Sequence, residues 1–182
     1  MKINNLTTKI KFVWVLIVFV IFFYMITTIY IDKKYKNSII IINKAEKQRM
    51  LTQKISKNIY YSYKFKNLDS TSLNKDIKSF ENNLSLLNKK EPFSNIIINT
   101  QLNKVNDIWD DFKSNINSFK LGIETKDFFY NLKIIKSNNI KLLNELDNLV
   151  NLYLEANDKK IANLHIFQLI TFFILMILII IK

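Results

Sequence analysis

Two runs of the chain hold almost no polar side chain, and any fold has to give them an apolar surrounding. The first runs from Phe12 to Ile31, FVWVLIVFVIFFYMITTIYI. It carries no charge and is about 20 residues long, the length at which a helix crosses the hydrocarbon core of a bilayer. The second, from Leu164 to Ile181, is nearer the short limit and is followed by Lys182. The first run is too long for the apolar core of a secretion signal. Its outer flank, TTIYIDKK, also lacks a small-x-small cleavage pattern, so it reads as an uncleaved anchor. Lys2, Lys9 and Lys11 precede it with no acid among them, which keeps the N-terminus in the cytoplasm. The second span returns the chain to the same side. The expected layout is a cytoplasmic tail at 1–11, spans at 12–31 and 164–181, and an outer segment at 32–163. That segment would lie in the periplasm, outside a bacterial inner membrane.

The formal charge of +12 sits mostly in the outer segment, which also holds all 15 acids. A positive field there favours small anions or anionic membrane lipid over nucleic acid, for which no motif is present. Much of the charge follows from a Lys-, Asn- and Ile-rich usage typical of AT-rich coding. The absence of cysteine excludes disulfides, thiolate nucleophiles and cysteine metal sites. No cofactor is expected.

The single proline and single glycine divide the outer segment, together with the polar stretch KNLDSTS at 66–72. The pieces predict four helices. The first continues out of the first span to Phe65 and turns Ile41, Ala45, Gln48, Thr52, Ile55 and Ile59 inward. The second starts at a cap near Ser70 or Ser72, with Leu73, Ile77, Phe80, Leu84 and Leu87 on one stripe. The third follows Pro92, with Ser94 as cap. It buries Ile98, Leu102, Val105, Ile108, Trp109, Phe112, Ile116 and Phe119. The fourth starts near Thr125, and its seam is Phe128, Leu132, Ile135, Asn139, Leu142, Leu146, Leu149 and Tyr153. It then runs into the second span. Asn139 either fixes register in that seam or faces solvent at its edge. Short links and four apolar stripes predict an all-α, up-down four-helix bundle held between two transmembrane helices.

One residue stands apart. Of 27 basic residues, Arg49 alone is an arginine. Its planar fork of donors matches a flat anion such as carboxylate or nitrate, where lysine offers a point charge. Pairing with Glu46 one turn earlier is the simpler use of it. Ile42, Glu46, Arg49, Gln53 and Ser56 form a second stripe beside the inward one, available to a ligand or a partner subunit.

Around Arg49 the pattern N-x-A-x-x-Q-R-M-L-[ST]-Q is met by Asn43, Ala45, Gln48, Arg49, Met50, Leu51, Thr52 and Gln53. This stretch resembles the NarX-like sensor domain, also called the PilJ-type N-terminal domain of type IV pilus chemotaxis transducers. The resemblance implies a dimeric extracytoplasmic four-helix bundle in which the arginine matching Arg49 binds an anion at the dimer axis, with Lys44 nearby. The nitrate sensors carry glycine where this chain has Glu46, so nitrate itself is disfavoured. Gln48 and Leu51 follow the pilus-transducer version. Sensors of this kind usually continue past the second span into a kinase or methyl-accepting module, whereas this sequence ends at Lys182. The expectation is that it signals through a separate histidine kinase or chemotaxis transducer, or is a remnant of a longer sensor.

The leading expectation is therefore a homodimeric membrane-anchored sensor that binds a small anionic or polar ligand at Arg49, Lys44, Asn43, Glu46 and Gln53. The alternative is a ligand-free structural bundle in which Arg49 and Glu46 pair between chains. An enzyme is not expected. The only histidine, His165, stands at a span boundary. Asp110 and Asp111 point to different helix faces, and Asp107 and Asp111 read as solvated surface.

Overall fold

The computed structural model describes residues 3–65, 69–89, 95–121 and 128–180. They form four helices, α1 (Ile3–Phe65), α2 (Ser70–Lys89), α3 (Ile96–Leu121) and α4 (Phe128–Ile180), and no strand occurs among them. The chain divides into two compact units. One joins Met1–Ser38 to Ala156–Lys182, and the other is Ile39–Glu155.

The Ile39–Glu155 unit is built on the helical period. Every α1 residue expected to face inward is buried: Ile41, Ala45, Gln48, Thr52, Ile55 and Ile59. The stripes of α2 and α3 are buried likewise, apart from a half-buried Ile108. On α4, Leu132, Ile135, Leu142, Leu146, Leu149 and Tyr153 are buried. Phe80 and Trp109 stack at the α2–α3 contact with ring centroids 3.8 Å apart, and Phe112 meets Trp109 edge-on at 6.0 Å. Burying such rings removes the largest single pieces of apolar surface from water.

Polar side chains set how the helices meet. Gln48 Nε2 donates to the Phe80 carbonyl (3.0 Å), tying α1 to α2. Lys54 Nζ (2.7 Å) and Asn58 Nδ2 (3.1 Å) both donate to the Asp76 carboxylate. As residue numbers climb on α1, their partners fall on α2. Lys113 pairs with Glu81, and Asn88 and Asn106 exchange amide hydrogen bonds, so α3 is fixed on α2. Gln101 Nε2 donates to the Glu145 carbonyl (2.9 Å) and carboxylate (2.6 Å), fixing α4 on α3.

The helix starts differ from expectation. The Ser72 N–H donates to Asp69 Oδ1 (3.0 Å), so Asp69 caps α2 and not Ser70 or Ser72. A carboxylate just before the first turn satisfies an orphan amide and faces the positive end of the helix dipole, which a serine already inside the helix cannot do. Asn95 does the same for α3 through the Ile97 N–H (3.0 Å). Ser94 and Thr125, the expected caps of α3 and α4, lie outside the described residues.

Tyr153 lies in this core at 2% exposure, and burial pushes its hydroxyl up to about 12. The unfolded chain ionises that group near 10, so the folded state resists deprotonation. The contribution is whole below pH 10 and is lost as pH rises through 12. Alkaline unfolding should therefore show a loss of roughly 2–3 kcal/mol in that window, and Tyr153→Phe should remove this loss. Melting curves across the window for both proteins measure it.

In the Met1–Ser38 and Ala156–Lys182 unit, the apolar runs of α1 and α4 leave large apolar side chains exposed. Phe12, Val15, Val18, Phe19, Phe22 and Met25 on α1 are exposed, as are Ile166, Phe167, Ile170, Phe172 and Phe173 on α4. A helix apolar all round belongs in a protein interior or a bilayer. Among the described residues α1 is the one helix long and apolar enough to cross a membrane. Two of its hydroxyls are satisfied within the helix: Thr27 and Thr28 donate to the Tyr24 carbonyl (2.8 and 2.9 Å). Gln168 Nε2 donates across to Thr28 Oγ1 (3.3 Å), and Phe23 meets Phe167 edge-on. Beyond these apolar stretches, Lys160 is held below the ordinary lysine range, first by burial and then by the charge of Lys34, with Tyr30 opposing.

Candidate functional site

Arg49 lies between two carboxylates of its own chain. Its Nη1 donates to Glu46 Oε2 (2.9 Å), one turn back on α1. Its Nε meets Asp147 Oδ1 of α4 in an ion pair. Those two facing atoms are shut off from solvent and make a charge contact, not an aligned hydrogen bond. The rest of the cluster is open: the side chains keep 38% (Arg49), 46% (Glu46) and 44% (Asp147) of their surface. The Glu46 bond follows from helical spacing. The Asp147 contact does not, because it depends on which level of α4 lies beside Arg49.

The second stripe of α1 is thus turned partly inward. Ser56 is buried at 4% exposure, and Arg49 reaches α4, while Glu46 and Gln53 remain exposed. The Arg49–Glu46 pair, expected between chains in the structural reading, closes within one chain. Asn43 and Lys44 stand apart from the cluster. Five residues at 3.6 per turn place Lys44 about 140° around α1 from Arg49, and six place Asn43 about 120° the other way. Gln53, one turn on, shares the Arg49 face but makes no bond to it. Asp147 is the residue that sequence reasoning missed. Its signal was position: it directly follows Leu146, a seam residue of α4, where a flanking charge reaches the neighbouring helix.

The cluster holds one cation and two anions. A free monoanion would approach the remaining donors of Arg49 at a site that is already net negative. A dipolar ligand, bringing its own cationic group, would not face that repulsion.

Other polar features lie apart from this cluster. Asn139 is half-buried, with its Oδ1 shielded from solvent, between the seam and surface roles expected of it. A cleft of about 290 Å³ between α2 and α3 is lined by Glu81, Asn88, Asn106, Trp109 and Asp110. Its amides and Glu81 are already used in the α2–α3 contact. His165, Asp107, Asp110 and Asp111 are exposed. Among the described residues no group of three metal-binding side chains comes together.

No family model, curated protein or solved structure matches this chain. The resemblance to NarX-like and PilJ-type sensors is carried by the motif from Asn43 to Gln53 and, in outline, by the expected two-span, four-helix layout.

Proposed function

We propose that this chain is a membrane-anchored sensory module: an up-down four-helix bundle in the periplasm, carried by transmembrane helices at both ends. The Arg49, Glu46 and Asp147 cluster would be its ligand-responsive latch. The observation that carries the reading is the contact of the chain's one arginine with Asp147, which joins α1 to α4. These are the two helices that also contain the apolar runs. A ligand that competes for either carboxylate or for the guanidinium would change that join. Shifts of about an ångström or two between packed helices are the usual scale of such signals. The favoured ligand class is small and polar, with an anionic group for Arg49 and a cationic group for Glu46 or Asp147. A zwitterionic amino acid has that chemistry. A second copy of the chain is proposed to pack along α1 and α4, where Met50, Ile140 and Leu154 are exposed apolar residues. The signal would pass to a separate histidine kinase or chemotaxis transducer.

A ligand-free structural bundle is the second reading. It is favoured by the guanidinium already having two carboxylate partners. Thermal melting of the full chain in lipid nanodiscs, against amino acids and against nitrate, separates the two. A sensor melts higher as its ligand concentration rises. An amino acid is expected to give that shift and nitrate to give none, and Arg49→Lys should abolish it because the fork is lost. Flat melting temperatures across the whole panel would leave the structural reading standing.

A further inference from the structure

The end of α1 carries the run KNIYYSYKF from Lys57 to Phe65. Ile59 and Ser62 take the buried positions there, and this forces Tyr60, Tyr61, Lys64 and Phe65 outward. Tyr61 and Phe65 are one turn apart, and their rings lie parallel, 8° off, with centroids 6.0 Å apart. They remain 51% and 63% exposed, a large apolar area to leave in water at one place. Beside them opens a cleft of about 340 Å³, lined by Asn58, Tyr61, Ser62, Phe65, Asp69 and Ser72. One side is formed by the stacked Tyr61 and Phe65 rings of α1. The other is polar and comes from the start of α2, where Asp69 uses Oδ1 to cap the helix and has a second oxygen left to accept. Lys57 Nζ and Lys64 Nζ stand 5.5 and 5.6 Å from the Tyr61 and Phe65 ring centres.

We infer that this cleft is a binding site for a sugar ring of a glycan, separate from the Arg49 cluster. A pyranose has one face of C–H groups and a rim of hydroxyls. The C–H groups match the negative face of an aromatic ring. The hydroxyls both donate and accept; around this cleft the amide and hydroxyl groups can do either, the Asp69 carboxylate accepts and the lysine ammonium groups donate. Its volume is at the small end of the range of about 300–1,000 Å³ for ligand sites, suited to one or two sugar units. A phosphate or other anion would meet the Asp69 carboxylate inside the cleft. A partner helix would need an apolar groove, whereas four of the six lining residues are polar.

The test is saturation-transfer NMR on the full chain in nanodiscs prepared without a glycoside detergent. The probes are soluble oligomers of glucose and of N-acetylglucosamine, with inorganic phosphate as a competitor. Saturation should pass from aromatic protons to sugar ring protons for at least one oligomer. Tyr61→Ala and Phe65→Ala should each weaken binding about tenfold while leaving the melting temperature unchanged, since both side chains lie largely outside the core. Asp69→Asn keeps a capping side chain and should still weaken binding. Arg49→Lys should leave it intact. No transfer from any oligomer at millimolar concentration would overturn the inference. So would binding that survives both aromatic substitutions, or displacement of the sugar by phosphate.

Discussion

Phe80→Ala is expected to lower the stability of the Ile39–Glu155 unit by about 3–5 kcal/mol, enough to unfold a marginally stable domain. Phe80 has no exposed surface, and it stacks on Trp109, itself at 3% exposure. Alanine would leave a cavity against Trp109. Trp109 is fixed on its other side by Phe112, and the Phe80 carbonyl is held by Gln48 from α1. Those restraints limit relaxation, which is what sets the upper part of the range. Phe80→Leu, keeping most of the volume, should lose less than half as much. Denaturant melts of the full chain, followed by Trp109 fluorescence with Trp14 replaced by Phe, measure both. A loss near zero for the alanine variant would mean that α2 is not packed on α3 as described.

Lys54→Met should produce the second large loss, about 3 kcal/mol. Asp76 is a carboxylate at 6% side-chain exposure on the inner side of α2, and it has two partners, Lys54 and Asn58. Removing one partner of a buried pair leaves a charge with too few bonds, a change that costs about 3–5 kcal/mol when both groups are buried. Lys54 is half exposed, so solvent softens the loss toward the lower figure. The sign of the reverse test separates this from lost packing. Changing both residues together, Lys54→Met with Asp76→Leu, removes the stranded charge and should recover most of the stability. If the double variant is as unstable as the sum of the single ones, the pair is not coupled.

Most of the packing is written in the periodicity. The inward stripe of α1 can be read because Ile41, Ala45, Gln48, Thr52, Ile55 and Ile59 recur at three and four, whether apolar or not. Gln48 and Thr52 are buried for that reason, and the polarity of Gln48 is then used to hold the Phe80 carbonyl. What could not be read lies across helices or at their ends. Asp76 precedes Ile77, and nothing local marks it as the residue that receives Lys54. The stripe facing the core is wider than a two-position seam, which is why Ser56, beside Ile55, is buried and not presented to a ligand. Serines inside the first turns of α2 look like caps until Asp69 and Asn95 are seen in front of the helices. Arg49 drew notice by its identity, and the near partner Glu46 followed from spacing. The far partner Asp147 needed the level at which α4 passes α1.

That far partner changes the chemistry expected of the site. With Glu46 alone, Arg49 keeps one edge of its fork for a ligand. With Asp147 as well, the guanidinium becomes a join between helices. A ligand of the proposed kind that competed with either carboxylate would link binding to a change in how α1 and α4 meet, which a simple anion pocket on one helix would not do.

The join itself is tested most directly by charge reversal across it. Arg49→Glu, Asp147→Arg and the double variant are to be melted side by side as full chains in nanodiscs. Each single reversal sets like charges against each other at the α1–α4 contact and should lose about 1–2 kcal/mol. The double variant restores opposite charges at that contact and should recover most of the loss. Single variants that melt like the parent chain, or a double variant no more stable than the sum of the two, would contradict the account.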